Sequence, residues 1–195
     1  KSWEILDDGR KFIFYLYENV TWQDGVPFTS ADVKWHWEML ASPDMVTYVK
    51  PKLEALVSIE TPDDYTVIFT FSEPTQPVLF AYFQSDTYIM PKHIFEGTDM
   101  ETNPANFAPV GTGPFKVVDF VPESYCVMVA NEEYFKGRPY LDQLIWKIIP
   151  DLATSLLAFE AGEIDYTQVP NEEIPRLETM RAWILDGQAQ PLLID

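Results

Sequence analysis

Residues 18–40 read Glu18-Asn-Val-Thr-Trp-Gln-Asp-Gly-Val-Pro-Phe-Thr-Ser-Ala-Asp-Val-Lys-Trp-His-Trp-Glu-Met-Leu40, and this stretch combines a turn with a helix start. Asp24-Gly25 predicts a tight turn, because glycine reaches positive φ without a Cβ clash. Pro27 keeps the residue before it extended. Thr29 is placed to cap a helix, with Asp32 at the third helical position facing back toward the cap. The stretch therefore predicts a helix that begins directly after Thr29.

The predicted helix carries an apolar stripe formed by Val33, Trp37 and Leu40. His36 lies beside this stripe, where a structural histidine, hydrogen-bonded or partly exposed, is favoured over a ligand. Trp22 has two interpretations: it fills the core, or it stacks on a bound molecule. The core is favoured, because burial is the commoner use of a large aromatic side chain.

The composition limits the class of protein. The chain has 195 residues, 47% of them hydrophobic, which is enough for one ordinary domain or two small ones with a sizeable core. Lys and Arg number 13 against 31 Asp and Glu, for a formal charge of -18. A phosphate-binding surface needs clustered cations, so nucleic acid is excluded as the expected partner. Cys126 is the single cysteine, which rules out an intrachain disulfide and a multi-cysteine metal site.

The rest of the chain predicts short strands and turns. Residues 12–17 form an unbroken apolar run, typical of a strand buried on both faces. Two hairpins are predicted, one pairing residues 53–59 with residues 65–71, the other pairing residues 115–121 with residues 125–130. A strand at residues 144–149 precedes a helix that Asp151 caps. The pattern predicts a mixed α/β (α+β) fold, with mixed sheets, short hairpins and flanking helices.

The motifs of common catalytic sites are missing from the sequence. His36 and His93 are far apart and form no His-Glu-x-x-His arrangement. No Gly-x-Ser-x-Gly elbow is present, and Gly111-Thr-Gly113 lacks both the third glycine of a dinucleotide loop and the lysine of a phosphate loop. We therefore expect no catalytic residues, no cofactor and no directly bound metal. A pair of carboxylates used for glycoside hydrolysis stays open as an alternative, because Asp and Glu are abundant.

Nine blocks of sequence in one order resemble the extracytoplasmic solute-binding proteins of family 5, the oligopeptide-, dipeptide- and nickel-binding components of ABC importers. The blocks are Trp3-Glu-x-x-Asp-Asp-Gly9, the opening stretch, Thr61-Pro-Asp-Asp-Tyr-Thr-Val67, Phe71-Ser-Glu-Pro74, Ile89-Met-Pro-Lys-His-Ile94, Pro109-Val-Gly-Thr-Gly-Pro-Phe115, Asn131-x-x-Tyr-Phe-x-Gly-x-Pro-Tyr-Leu-Asp142, Ile149-Pro-Asp151 and Ala161-Gly-Glu-Ile-Asp165. Most of these residues are turns and caps, so the resemblance specifies the family's fold more than its ligand.

The resemblance implies a fragment of a type II periplasmic-binding-protein fold, in which two lobes close over a ligand. Residues 1–108 would correspond to an additional subdomain of the first lobe. Residues 109–169 would be part of the first lobe itself. Residues 170–195 would lead into a second lobe that lies outside this chain.

Two stretches are the candidates for contact with a ligand under this resemblance. One is the loop that contains Tyr48. The other precedes Pro91 and offers Gln84, Ser85, Asp86 and Thr87. For both stretches, an ordinary surface loop of the subdomain is the open alternative.

The resemblance implies a non-enzymatic role, in which the protein captures a small solute and delivers it to an ABC permease. The expected solute is a peptide, with an oligosaccharide or a metal complex such as a nickel complex as further options. The expected location is the periplasm or the outer cell surface, and a lipid anchor on the full-length protein is left open. Two rival classes of function remain open: a carboxylate-pair glycoside hydrolase, and a structural or interaction domain.

Overall fold

The computed structural model describes residues 1–43, 45, 47, 49–75, 88–175 and 177, apart from the side chain of Lys52. Within these residues the strands are β1 (Ser2–Leu6), β2 (Lys11–Tyr15), β3 (Leu56–Asp63), β4 (Thr66–Phe71), β5 (Phe115–Val121), β6 (Tyr125–Ala130) and β7 (Gln143–Lys147). The helices are α1 (Ser30–Ala41), α2 (Lys92–Phe95) and α3 (Leu152–Glu160). The expected mixed α/β fold with hairpins and flanking helices is confirmed.

The strands form two sheets. Strands β1 to β4 make an antiparallel sheet in the order β1-β2-β4-β3, and β5 to β7 make a second sheet in the order β5-β6-β7. Both predicted hairpins are present, β3 with β4 and β5 with β6. The chain divides into two compact units: unit 1 holds Lys1–Phe120 with Cys126–Ile145, and unit 2 holds Val121–Tyr125 with the described residues from Trp146 onward. The predicted boundary near residue 108 concerns the lobes of a larger protein and stays a prediction.

Helix α1 begins where the sequence places it. The Oγ1 of Thr29 accepts a hydrogen bond from the backbone N–H of Ala31 at 3.3 Å, and the Oδ2 of Asp32 accepts one from the N–H of Thr29 at 2.9 Å. This is the predicted reciprocal capping box, which satisfies backbone donors that a helix start leaves without intrahelical partners.

The core of unit 1 lies between α1 and the four-stranded sheet. Val33 and Trp37 of the predicted stripe are buried, and Leu40 packs against them. Trp37 is 1% exposed and meets the ring of Phe69 edge-on, with 6.3 Å between the centroids. Phe69 alternates along β4 with Val67 and Phe71, which are also buried. Edge-to-face contacts of this kind add specificity to the apolar burial.

The prediction that β2 is buried on both faces is wrong. Phe12 is buried, and Phe14 packs against the same core. The neighbouring Ile13 and Tyr15, whose side chains point to the opposite face, stay half-buried, and Tyr17 beyond the strand is exposed. The sheet that contains β2 has its core on the α1 side only. The apolar run therefore contains more apolar residues than the one buried face of β2 can hold.

Removing the Trp37 side chain should lower the free energy of unfolding by roughly 3–5 kcal/mol, since Trp37→Ala leaves a large cavity in a packed core. Thr29→Ala is the matched change at the start of the same helix, and its loss of one capping interaction should cost only about 1 kcal/mol. Urea unfolding of both variants measures the difference. A loss below about 1 kcal/mol for Trp37→Ala would contradict the core described above.

Candidate functional site

The five candidate ligand contacts, Tyr48, Gln84, Ser85, Asp86 and Thr87, lie outside the described residues. The structure does describe the segments that hold both ends of each stretch. The loop of Tyr48 is bounded by α1 and by the 3-10 turn Lys50–Leu53. The second stretch is bounded by Thr75 and by Tyr88.

Lys50 anchors the loop that contains Tyr48. Its Nζ donates hydrogen bonds to three backbone carbonyls, of Ser42 at 2.9 Å, Pro43 at 2.9 Å and Met45 at 3.1 Å. A cation at the end of a helix is favourable, because the helix leaves its last carbonyls without partners and with a partial negative charge. One ammonium group thus ties the end of α1 to the start of the 3-10 turn.

Asp32 anchors the far end of the second stretch. Its Oδ1 accepts a hydrogen bond from the backbone N–H of Lys92 at 3.1 Å, while Oδ2 caps α1. Ile89 packs against the core, and Phe95 of α2 is buried. At the near end, the N–H of Thr75 donates to the carbonyl of Gly9 at 2.9 Å. Both ends of the stretch are therefore attached to the four-stranded sheet and its helix.

Trp22, Asp24 and His93 form a second contact between the opening stretch and α2. The Nε2 of His93 lies 2.7 Å from the Oδ2 of Asp24, and the His93 ring meets Trp22 edge-on, with 6.2 Å between the centroids. Partial desolvation acts to raise the pKa of Asp24, but the hydrogen bonds from His93 and from the N–H of Val26 outweigh it and lower that pKa. Trp22 is 2% exposed, so the prediction that it fills the core is confirmed.

Gln23 joins the turn of residues 22–26 to the start of β5. Its backbone N–H donates to the carbonyl of Gly111 at 2.9 Å, and the Gly111 N–H donates back to Oε1 at 3.2 Å. Its Nε2 donates to the carbonyls of Gly113 at 3.2 Å and Phe115 at 2.7 Å. The amide thus uses both donors and an acceptor in one contact. The backbone of Gly111-Thr-Gly113, which leads into β5, thus supplies hydrogen-bond partners for this side chain.

These anchors were missed by the sequence interpretation, which identified the turn at Asp24-Gly25 but not its partners. Gln23 lies about 90 residues from the carbonyls that it binds, and Asp24 lies 69 residues from His93. The spacing of neighbouring residues does not predict contacts between residues that are so far apart in the sequence. The one local hint is that Gln23 lies next to Asp24-Gly25, inside the turn of residues 22–26.

His36 lies on the side of α1 next to the apolar stripe and differs from the expectation. It is 3% exposed, and neither ring nitrogen has a hydrogen-bond partner among the residues that the structure describes. The prediction that His36 is hydrogen-bonded or partly exposed is therefore wrong. Its ring packs edge-on against Trp37, with 5.6 Å between the centroids. Desolvation lowers the pKa of His36 from 6.5 to about 4, so the ring is neutral at pH 7.

The described residues contain neither a metal-binding cluster nor a membrane-spanning helix. Within residues 1–43, 49–75 and 88–175, no three His, Cys, Asp or Glu side chains are placed to hold a metal ion together. No helix in the described part of the chain is both long and apolar enough to span a bilayer.

Comparison with known proteins gives one family. The family model described as "Bacterial extracellular solute-binding proteins, family 5 Middle" matches residues 1–185. A protein of Brucella ovis, named as an ABC transporter peptide-binding protein, is 30% identical over 194 residues, which are 97% of this chain and 36% of that protein. The chain thus spans about a third of the length of the curated relatives it matches.

Two solved structures show the same fold. The oligopeptide-binding protein AppA of Bacillus subtilis, solved with a nonapeptide, superposes with a TM-score of 0.83 at 30% identity over 91% of this chain and 36% of AppA. NikZ of Campylobacter jejuni, solved with Ni(L-His), superposes with a TM-score of 0.81 at 28% identity over 91% of this chain and 35% of NikZ. Each superposition covers nearly all of the present chain.

The Gln23 contact should stabilise the protein. Gln23→Ala removes three side-chain hydrogen bonds, so unfolding in urea should become easier by about 2–3 kcal/mol. Gln23→Glu should lower stability further at pH 7, because a carboxylate oxygen then faces the carbonyls of Gly113 and Phe115. Gln168→Glu makes the same change at an exposed position and should have little effect. Equal stability of Gln23→Glu and Gln168→Glu would refute this role.

Burial of neutral His36 predicts a loss of stability in acid. Its pKa of about 4 in the folded state lies below 6.5, so between these values the unfolded chain binds a proton that the folded chain does not. The free energy of unfolding should therefore be fully retained above pH 6.5 and should fall by about 3 kcal/mol as the pH drops toward 4. Urea unfolding at several pH values measures this fall. His36→Leu should lack that component, and an identical pH slope in both proteins would show that His36 does not cause it.

Proposed function

This chain belongs to the bacterial extracellular solute-binding proteins of family 5, and from that premise we propose that it forms part of a protein that captures a peptide for an ABC importer. The observation that carries the proposal is the family match over residues 1–185. Proteins of this family work outside the cytoplasm. The fold is that of type II periplasmic binding proteins, and the similar proteins are binding components of transporters rather than enzymes.

A peptide is the solute class with the most support. The Brucella ovis relative is named as peptide-binding, and the AppA structure contains a nonapeptide. NikZ holds a nickel–histidine complex, so a metal complex is the second candidate. An oligosaccharide stays as a third candidate from the sequence alone. The full-length protein would hand its solute to an ABC permease.

The proposed mechanism is reversible closure of two lobes around the solute, in which contacts with the solute favour the closed state. Such a protein needs a firm wall on one side of the cleft, since side chains that are already positioned lose less entropy on binding. The Lys50, Asp32 and Gln23 contacts provide that firmness here, because each ties a loop to a helix or strand of unit 1.

The proposed ligand contacts are Tyr48, Gln84, Ser85, Asp86 and Thr87. Their support is the family resemblance together with the anchors described above. Polar side chains between an apolar segment and a buried turn either face solvent or line a cleft, and a cleft wall of a peptide-binding protein needs such donors and acceptors.

The test uses the full-length protein that contains this chain. Native mass spectrometry of the purified protein should detect a bound peptide, and incubation with pools of peptides and oligosaccharides should give saturable binding of peptide with no change in its mass. Shortened oligosaccharides would instead indicate the glycoside hydrolase. Absence of any bound or binding solute would favour a structural or interaction domain.

Variants locate the site within the same protein. Gln84→Ala and Thr87→Ala should weaken binding of the identified peptide, measured by calorimetry, and should leave the melting midpoint of the unliganded protein nearly unchanged. Gln168→Ala, at an exposed position of unit 2, is the control and should bind normally. Unchanged affinity in both test variants would return residues 84–87 to an ordinary surface loop.

A further inference from the structure

The loop of residues 131–142 joins β6 to β7 and is closed at its base. The N–H of Ala130 donates to the carbonyl of Asp142 at 2.9 Å, so the two ends of the loop lie side by side. Asn131 is buried, and its Nδ2 donates to the carbonyl of Gly113 at 3.0 Å, which fixes the base of the loop to the segment that leads into β5. Compact surface loops whose ends lie close together are frequently functional.

Arg138 braces this loop from within. Its Nε donates to both carboxylate oxygens of Glu132 at 2.9 Å, and its Nη1 donates to the carbonyl of Pro139 at 2.7 Å. Its Nη2 also pairs with the Oδ1 of Asp142. The planar guanidinium presents several donors in a fixed arrangement, so one side chain can hold several acceptors in one geometry. Arg138 therefore holds both ends of the loop and its outer turn together.

The braced loop presents Tyr140 and Leu141 to solvent. Tyr140 is fully exposed and Leu141 is 41% exposed. The two residues are consecutive, so they form one continuous patch, and Pro139 fixes its own φ directly ahead of them. A single exposed apolar side chain is ordinary on a protein surface. A tyrosine on a preorganised loop is the kind of residue that anchors protein interfaces, because it buries a large area at a low cost in conformational entropy.

The charge around the tip limits the kind of partner. The side chain of Glu132 is 69% exposed and that of Asp142 is 89% exposed, and the single guanidinium of Arg138 balances only one of these two carboxylates. The chain as a whole has a formal charge of -18. A second copy is disfavoured, because it would bring like charges together. The partner surface that fits has an apolar pocket for Tyr140 and a rim of Lys or Arg.

We propose that loop 131–142, with Tyr140 and Leu141 at its tip, docks on a partner protein whose contact surface is apolar at its centre and cationic at its rim. The partner is the ABC permease that receives the solute, and in this respect the inference rests on the proposed function. The two fail separately. A full-length protein that binds no peptide would overturn the proposed function, whereas one that binds peptide and reaches the permease without using Tyr140 would overturn this inference alone.

Binding of the full-length protein to the permease in lipid nanodiscs, followed by biolayer interferometry, tests this surface. Tyr140→Ala should weaken docking about tenfold, because truncation of an interface anchor removes much of the binding energy. Tyr166→Ala removes the same side chain at another exposed position and should dock normally. Both variants should keep the melting midpoint and the peptide affinity of the unchanged protein. Undiminished docking of Tyr140→Ala would overturn the proposal, and so would docking that added salt does not weaken.

A second variant tests the brace and leaves the tip in place. Arg138→Gln removes the guanidinium, so docking should weaken severalfold as the loop loses its preorganisation. Lys136→Gln is the matched control, because it removes one cation from the same loop, where the Lys136 Nζ lies 5.5 Å from the centroid of the Phe135 ring. Equal docking by Arg138→Gln and Lys136→Gln would overturn the role of the brace.

Hydroxyl-radical footprinting identifies what covers the tip without any substitution. Tyr140 should be oxidised rapidly in the full-length protein alone and severalfold more slowly once the permease is added. Slow oxidation in the protein alone would mean that another part of the same polypeptide covers the tip. Protection that appears only as the protein dimerises, measured by sedimentation velocity, would mean that a second copy covers it. Either result would overturn the inference.

Discussion

The carboxylate of Asp32 makes two hydrogen bonds on which the rest of unit 1 depends. One oxygen accepts from the N–H of Thr29 and starts α1, and the other accepts from the N–H of Lys92 at the start of α2. The side chain is buried, so losing either partner would leave a charged oxygen without compensation in an apolar setting. One carboxylate thus sets two positions. It places α1, which carries Trp37 onto the sheet, and it places the turn after residue 88.

Polar contacts made by side chains also hold several loops of unit 1 in place. Gln23 binds the start of β5, Asp24 binds His93, and Lys50 binds the carbonyls that follow α1. Each contact is made by a loop residue, and each places that loop against a regular element. Loops positioned by a rigid scaffold are where binding proteins usually carry their specificity. His36 is the exception, because it is buried and neutral and makes no polar contact among the described residues.

The two units differ in how complete they are. Unit 1 buries aromatic side chains between α1 and a four-stranded sheet and has the features of an independent core. Unit 2 buries Leu156 and leaves Trp146, Leu157 and Tyr166 in water.

The sequence alone determined the local features of this protein. Thr29 and Asp32 predicted the capping box, and Asp151 predicted the start of α3, because these signals depend only on residues about three positions apart. Nine short blocks also sufficed to identify the family. The tertiary structure alone decided which turn residues bind distant backbone, how deeply His36 is buried and which apolar run stays half-exposed. Those outcomes depend on pairing over tens of residues and on which face of a sheet is covered, and neither quantity is written in the spacing of neighbouring residues.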